Sequence, residues 1–153
     1  MATFGTWSSG DVLTAADLNA GLPACIVNSA SQSIANNTAT YLNYDQEVHD
    51  PYGWHSTTTN NQRITPNIAG YYLATVECRN WDIVNGRSLY LLDRNIVNWS
   101  RFDVTSTACE GGTVSGVMYL NGTTDYVESR FYQNSGSSKT IFVPQLSLVR
   151  IGG

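Results

Sequence analysis

His49 and His55 flank Asp50-Pro51-Tyr52-Gly53-Trp54, and with Asp50 they come nearest to a metal-ligand set in this chain. The turn between them would bring imidazole and carboxylate together. However, the spacing matches no zinc pattern that carries specificity, and loop histidines are usually solvated, so no metal is expected. Acidic residues form two groups, Asp45, Glu47 and Asp50, and Asp125 with Glu128. Facing carboxylates are what glycoside hydrolysis needs, one as acid and the other as nucleophile or base. The plainer reading is structural: Asp45 and Glu47 end a strand, while Glu128 and Arg130 share a strand face and neutralise each other. The acidic loop lacks the helix-loop-helix calcium pattern. Serines are plentiful, but no Gly-x-Ser-x-Gly elbow or Ser-x-x-Lys pair accompanies them. Cys25, Cys78 and Cys109 form an odd, widely spaced set that reads as small buried hydrophobes. The chain is therefore read as non-enzymatic and without a cofactor.

The aromatic residues point elsewhere. Nine tyrosines and four tryptophans exceed what one small core needs. Tyr and Trp suit protein interfaces, where the ring is buried and its polar edge stays hydrogen-bonded. Tyr41, Tyr72, Tyr90, Tyr119, Tyr126 and Tyr132 fall on candidate strands and are the candidates for an oligomer interface. Trp54 and Trp99 are the candidates for a carbohydrate platform.

The elements that must position these residues are β-strands. Cys25–Asn28 and Thr38–Tyr44 are short candidates, the second alternating Thr38, Thr40, Leu42 and Tyr44 against Ala39, Tyr41 and Asn43. Asp50-Pro51-Tyr52-Gly53 is a turn sequence, and Pro66 confines the strand at Arg63–Thr65 to an edge or to its own first residues. Gly70–Trp81 is the strongest strand, with Tyr72, Ala74, Val76, Cys78 and Asn80 on one face and Tyr71, Leu73, Thr75, Glu77, Arg79 and Trp81 on the other. Asn85-Gly86 predicts a hairpin into Arg87–Arg94. Further strands are expected at Ile96–Val104, Thr113–Leu120, Tyr126–Gln133 and Thr140–Ile151, the last either at an edge or bulged at Pro144. Eight or nine strands at roughly ten-residue intervals, joined by Gly- and Asn-containing turns, predict a two-sheet sandwich.

Residues 1–24 differ in texture and are read as an attachment segment, with 25–153 as the globular domain. Thr14 to Asp17 has the form of a capping box, followed by a helix to about Ala20 that Gly21 and Pro23 end. One and a half turns are not stable alone. The anchors Phe4, Trp7, Val12, Leu13 and Leu18 therefore need a surface, either this domain's own or a neighbouring protein's.

Composition narrows the partners. Charged residues are 13% of the 153, against roughly 25% in an ordinary soluble domain, while Asn, Thr, Ser and Gln supply 50. Such a surface stays soluble yet packs closely against protein. Net charge is -4, and the eight basic residues are scattered singly, so no stripe tracks a nucleic-acid backbone. No apolar stretch approaches 18 residues, and the start carries neither a basic run nor an apolar block, so neither a membrane span nor a signal peptide is expected.

Residues from about Asn36 to Ile151 resemble the C1q/TNF-like jelly roll, in the version found in bacteriophage structural proteins. The resemblance rests on several stretches in order: Tyr44-Asp45 to Glu47, Asp50-Pro51-Tyr52-Gly53, Ile68-Ala69-Gly70-Tyr71-Tyr72-Leu73, Asn85-Gly86-Arg87, Asp125-Tyr126-Val127-Glu128, Tyr132-Gln133-Asn134-Ser135-Gly136 and Leu146 to Ile151. Where such proteins often have a shorter turn before Tyr-Val-Glu, this chain has Leu120-Asn121-Gly122-Thr123-Thr124-Asp125. The segment Trp7–Asn19 is similar to the start of many phage tail and virion surface proteins.

The resemblance implies an all-β jelly-roll sandwich and a homotrimer packed through tyrosine-rich faces. It further implies a virion component made in the host cytoplasm. The favoured expectation is a capsid decoration, or cement, protein attached through its N-terminal arm to the major capsid protein or neighbouring virion proteins. The alternative is a tail-fibre or tail-tip receptor- or glycan-binding protein.

Overall fold

Alternation of apolar and polar side chains at period two sorts this chain into two sheets whose inner faces share one core. The structure, a computed structural model, describes Gly10, Val12 and residues 21–79, 86–105 and 111–153. The expected helix, the anchors Phe4, Trp7, Leu13 and Leu18, residues Asn80, Trp81 and Asn85, and Cys109 lie outside the described residues.

The strands are β1 (Ala24–Asn28), β2 (Ser31–Ile34), β3 (Thr40–Tyr41), β4 (Gln46–His49), β5 (Arg63–Ile64), β6 (Gly70–Arg79), β7 (Ser88–Arg94), β8 (Val97–Val104), β9 (Gly111–Leu120), β10 (Val127–Gln133) and β11 (Lys139–Gly152). One sheet runs β4-β1-β11-β6-β9, with β2 also on β11; the other runs β3-β10-β7-β8, with β5 also on β10. Pairing within both is antiparallel. The expected sandwich is present.

The strongest sequence pattern gives the clearest strand. Along β6, Tyr72, Ala74, Val76 and Cys78 are buried while Tyr71, Leu73, Glu77 and Arg79 are exposed, the two faces that the sequence predicts. Its neighbour β9 buries Val114, Met118 and Leu120. The core also holds Tyr44, Tyr90, Leu92, Phe131, Leu146 and Leu148, each at most 1% exposed. Buried tyrosine hydroxyls keep partners: Tyr44 Oη lies 2.5 Å from Ser129 Oγ, and Tyr72 Oη donates to the Ile68 carbonyl at 2.6 Å. Burying such a side chain stabilises the fold by roughly 1.5–3 kcal/mol.

The final strand resolves the Pro144 alternative. β11 lies between β1 and β6, so it is no edge, and the chain bulges instead. Between the pairs Phe142↔Arg79 and Gln145↔Glu77, β11 advances one residue more than β6. Val143 adopts φ 46°, and its N–H bonds the Ala30 carbonyl at 2.9 Å. The bulge changes the phase of alternation, so Ile141 before it and Leu146 and Leu148 after it all reach the core. Proline, which has no N–H to give, sits where the ladder is already interrupted.

Two expectations need correcting. Of Thr38–Tyr44 only Thr40–Tyr41 is strand, although Leu42 and Tyr44 are buried as the alternation requires. Strands β2 and β4 were not expected from the sequence; β4, QEVH, is exposed at every position and has no inward-facing set to reveal it.

Candidate functional site

Tyr71 and Leu73 on β6 pair across the ladder with Tyr119 and Val117 on β9, and all four point outward from the six-stranded sheet. They are 52%, 39%, 45% and 50% exposed, and Ile151 on β11 adds a fifth at 49%. The Tyr71 and Tyr119 rings meet edge to face, with centroids 5.4 Å apart. Farther along, the Thr75 and Ser115 hydroxyls bond at 3.0 Å before charge appears at Glu77 and Arg79. An apolar, aromatic centre with a polar margin is the anatomy of a protein-binding patch.

The margin of this patch is built by close packing. Trp99, on β8, leans across the gap between the sheets and donates its Nε1–H to the Val117 carbonyl at 3.0 Å. It can do so because residue 116 is glycine: a Cβ there would stand 2.9 Å from Trp99 Cδ1. Trp99 remains 46% exposed and borders the Val117 side of the patch.

The tyrosine candidates divide. Tyr119 lies on the patch. Tyr41 is 38% exposed on the opposite sheet, with the Arg130 guanidinium 5.5 Å from its ring centre. Tyr126 lies under the Arg63 guanidinium at 4.0 Å, and Tyr132 donates its hydroxyl to Asn37 Oδ1 at 3.3 Å. Tyr72 and Tyr90 are corrections, since both are buried core rings that no partner chain can reach. Tyr90 packs edge-on against Phe131 with centroids 4.8 Å apart. Tyr71 was missed as an interface residue, although the Tyr71-Tyr72 step in an alternating strand places one ring outside whenever the other is inside.

Of the two platform tryptophans, Trp54 is also corrected. It is 2% exposed, stacked on Tyr52 at 5.2 Å, and donates to Asn67 Oδ1 at 2.7 Å. Of these two, Trp99 alone is exposed enough to meet a sugar.

The chemistry-bearing residues mostly hold turns. Both Asp50 oxygens accept backbone N–H groups at 2.9 Å, one from Trp54 and one from His55. His55 Nδ1 lies 3.2 Å from Glu47 Oε1, and its Nε2 lies 3.2 Å from the Asn61 carbonyl. Among the described residues, no group of three or more His, Cys, Asp and Glu could hold a metal. Cys25 is a buried free thiol, and Cys78 also belongs to the buried core. Burial, then the Asp50 and Glu47 carboxylates, pushes the Cys25 thiol far above its ordinary range, which keeps it protonated and unreactive.

Burial also pushes the Asp125 carboxyl up, but hydrogen bonds from Asn95, Arg94 and the Asn121 amide together outweigh it and hold the group below the usual range. Glu128 is not neutralised by Arg130 as expected. The Arg130 guanidinium grips Asp93 instead, Nε to Oδ2 at 2.5 Å and a terminal nitrogen to Oδ1 at 3.0 Å. Asp93 stands directly across from Glu128 in the ladder and is fully buried, so the shared-face pattern placed the cation correctly but assigned it the wrong acid.

No protein-family profile and no curated protein matches the chain. Solved structures do. The PRD1 vertex protein P5 superposes with a TM-score of 0.63 at 20% identity, covering 86% of this chain and 99% of that one. The globular domain of zebrafish complement 1qA protein gives 0.58 at 16% identity, over 84% and 97%. Murine APRIL at pH 8.0 gives 0.60 at 14% identity, over 84% and 99%. The chain thus has the C1q/TNF-like jelly-roll fold, as the resemblance implied.

Proposed function

We propose that this chain is a non-enzymatic structural protein of a bacteriophage virion. In this reading it is a homotrimeric decoration protein on the capsid surface, made in the host cytoplasm. The observation that carries it is the patch of Tyr71, Leu73, Val117, Tyr119 and Ile151, apolar and half-exposed in a single copy. Patches of this kind on a small domain mark protein contacts. A second and third copy cover it in a closed ring, which also shields the edge strand β9. The likeness of the fold to a phage vertex protein supports a place on the particle. Carboxylates that bind guanidinium or amide groups and thiols held in the core support the non-catalytic part.

Attachment falls to residues 1–24, through Phe4, Trp7, Val12, Leu13 and Leu18, against the major capsid protein or neighbouring virion proteins. Val12 is 79% exposed and so is available for that contact. Three arms acting together multiply a weak individual contact. The glycan-binding alternative loses half its proposed platform with Trp54 in the core. The experiment is removal of residues 1–22: the truncated protein should remain a soluble trimer and cease to co-sediment with capsids. Undiminished capsid binding would exclude the arm as the attachment.

A further inference from the structure

Ile96 and Val97, where β7 turns into β8, are each 64% exposed, more than any other large apolar side chain among the described residues except Val12. Arg94 pairs with Val97, leaving Asn95 and Ile96 as a two-residue hairpin turn with φ of 49° and 64°. Two consecutive left-handed residues favour Asn-Gly. Asparagine fits the first place; a β-branched isoleucine in the second is an outlier. Elsewhere the chain gives such a place to glycine, as at Asn121-Gly122, where Gly122 has φ 70°. Folding does not account for Ile96, which neither relieves its backbone nor fills the core.

The turn is firmly seated. Asn95 Oδ1 accepts the Tyr126 N–H at 2.9 Å, its Nδ2 donates to Asp125 Oδ1 at 2.7 Å, and its own N–H bonds the Tyr126 carbonyl at 3.2 Å. Asp125 also accepts from Arg94 at 2.9 Å and from the Asn121 N–H at 3.0 Å. An apolar tip on a fixed seat loses little freedom when a partner covers it.

The same end of the sandwich carries the root of the N-terminal segment. Leu120, next to Asn121, pairs with Gly70 at the start of β6. Beside Gly70, Arg150 donates from Nε to the Ala69 carbonyl at 3.1 Å and from its backbone N–H to the Pro23 carbonyl at 2.9 Å. Leu22, itself 49% exposed, therefore stands at the end where the Ile96–Val97 tip projects. The loop Asn121–Thr124 is uncharged and Arg94 is paired with Asp125, so the surroundings of the tip suit a neutral partner surface.

We propose that Ile96 and Val97 form a rigid aliphatic knob that enters an apolar recess of the shell protein, a second contact beside the arm of residues 1–24. The inference rests on the decoration reading above and names a part of its docking surface. The strained isoleucine is then kept for contact rather than for folding.

The test uses the full chain and capsids lacking it, read by co-sedimentation, with sedimentation and denaturant unfolding of the free protein alongside. Wild type should bind. Ile96→Gly should weaken capsid binding by about tenfold or more, because each copy loses an apolar contact and the copies act together. The free protein should keep its wild-type association state and unfold at higher denaturant. Val97→Thr, which keeps the shape and adds a hydroxyl, should weaken binding in the same direction with the fold intact. If wild type binds and both variants bind equally well, the knob is wrong and the decoration reading stands. Loss of association in the free variants would assign the pair to contacts between copies and overturn the knob as well. A wild-type chain that binds no capsid would remove the decoration reading, and the knob with it.

Discussion

The outer faces of the two sheets use opposite chemistry. Around β6 and β9 the six-stranded sheet presents Tyr71, Leu73, Val117 and Tyr119, with hydroxyls beyond them. The outer side of the five-stranded sheet is built of charged groups, Arg63 and Arg130 with the buried Glu128 and Asp93, and, farther along, Arg87 bonded to Asp103 at 2.6 Å. Both faces belong to one chain with few charges, so the charges are concentrated rather than spread. A charged face whose Arg130–Asp93 and Arg87–Asp103 pairs close within one copy has little to gain by being covered. An apolar face with only water against it gains from every square ångström that another protein removes. On the proposed reading, the contrast separates a face that stabilises the sandwich from one that would associate.

Three variants bear on that division. The largest effect is expected from Leu73→Glu combined with Val117→Glu. Two buried, unpaired carboxylates at the centre of each contact should weaken trimer association by at least about 100-fold, read by sedimentation, while circular dichroism stays that of a β-sandwich. Trimers that survive at full strength would move the interface elsewhere. Next is Asp93→Ala, which leaves Arg130 without its acid on the other face. Denaturant unfolding should lose about 3 kcal/mol, with association per folded protomer unchanged. A loss of trimers without a loss of protomer stability would reverse the roles assigned to the faces. The smallest is Ile96→Gly, which relieves the left-handed strain. It should raise protomer stability by roughly 0.5–1 kcal/mol, because the strain removed exceeds the added chain entropy of glycine. A destabilised variant would mean that the isoleucine packs in a way that repays its backbone.

How far the sequence reaches differs between these regions for physical reasons. The β6 alternation was readable because each inward residue is apolar and each outward position departs from it regularly, so Tyr72 and Tyr71 could be assigned to opposite faces. Alternation alone does not say which face is buried, so Tyr72 was offered as an interface ring, and for Tyr90 the pattern itself is weak. β7 buries five of its seven residues, and Ser88, Leu91 and Asp93 blur the pattern. Trp54 follows a proline turn, where no period exists, and its burial depends on the adjacent Tyr52 and on Asn67 and Tyr72 arriving from farther along the chain. Glu128 and Arg130 show the limit of intrastrand reasoning, because the acid that captures Arg130 comes from β7. The turn at Asn121-Gly122 was legible, and the structure gives the reason. Asn121 Oδ1 accepts the N–H groups of Thr123, Thr124 and Asp125, and a Cβ on Gly122 would stand 2.4 Å from the Ala69 nitrogen.

The most direct measurement is sedimentation equilibrium of the intact chain at micromolar concentration. The account predicts a particle of three 16.7 kDa chains. A stable single-chain species, with Tyr71, Leu73, Val117 and Tyr119 left in water, would contradict it.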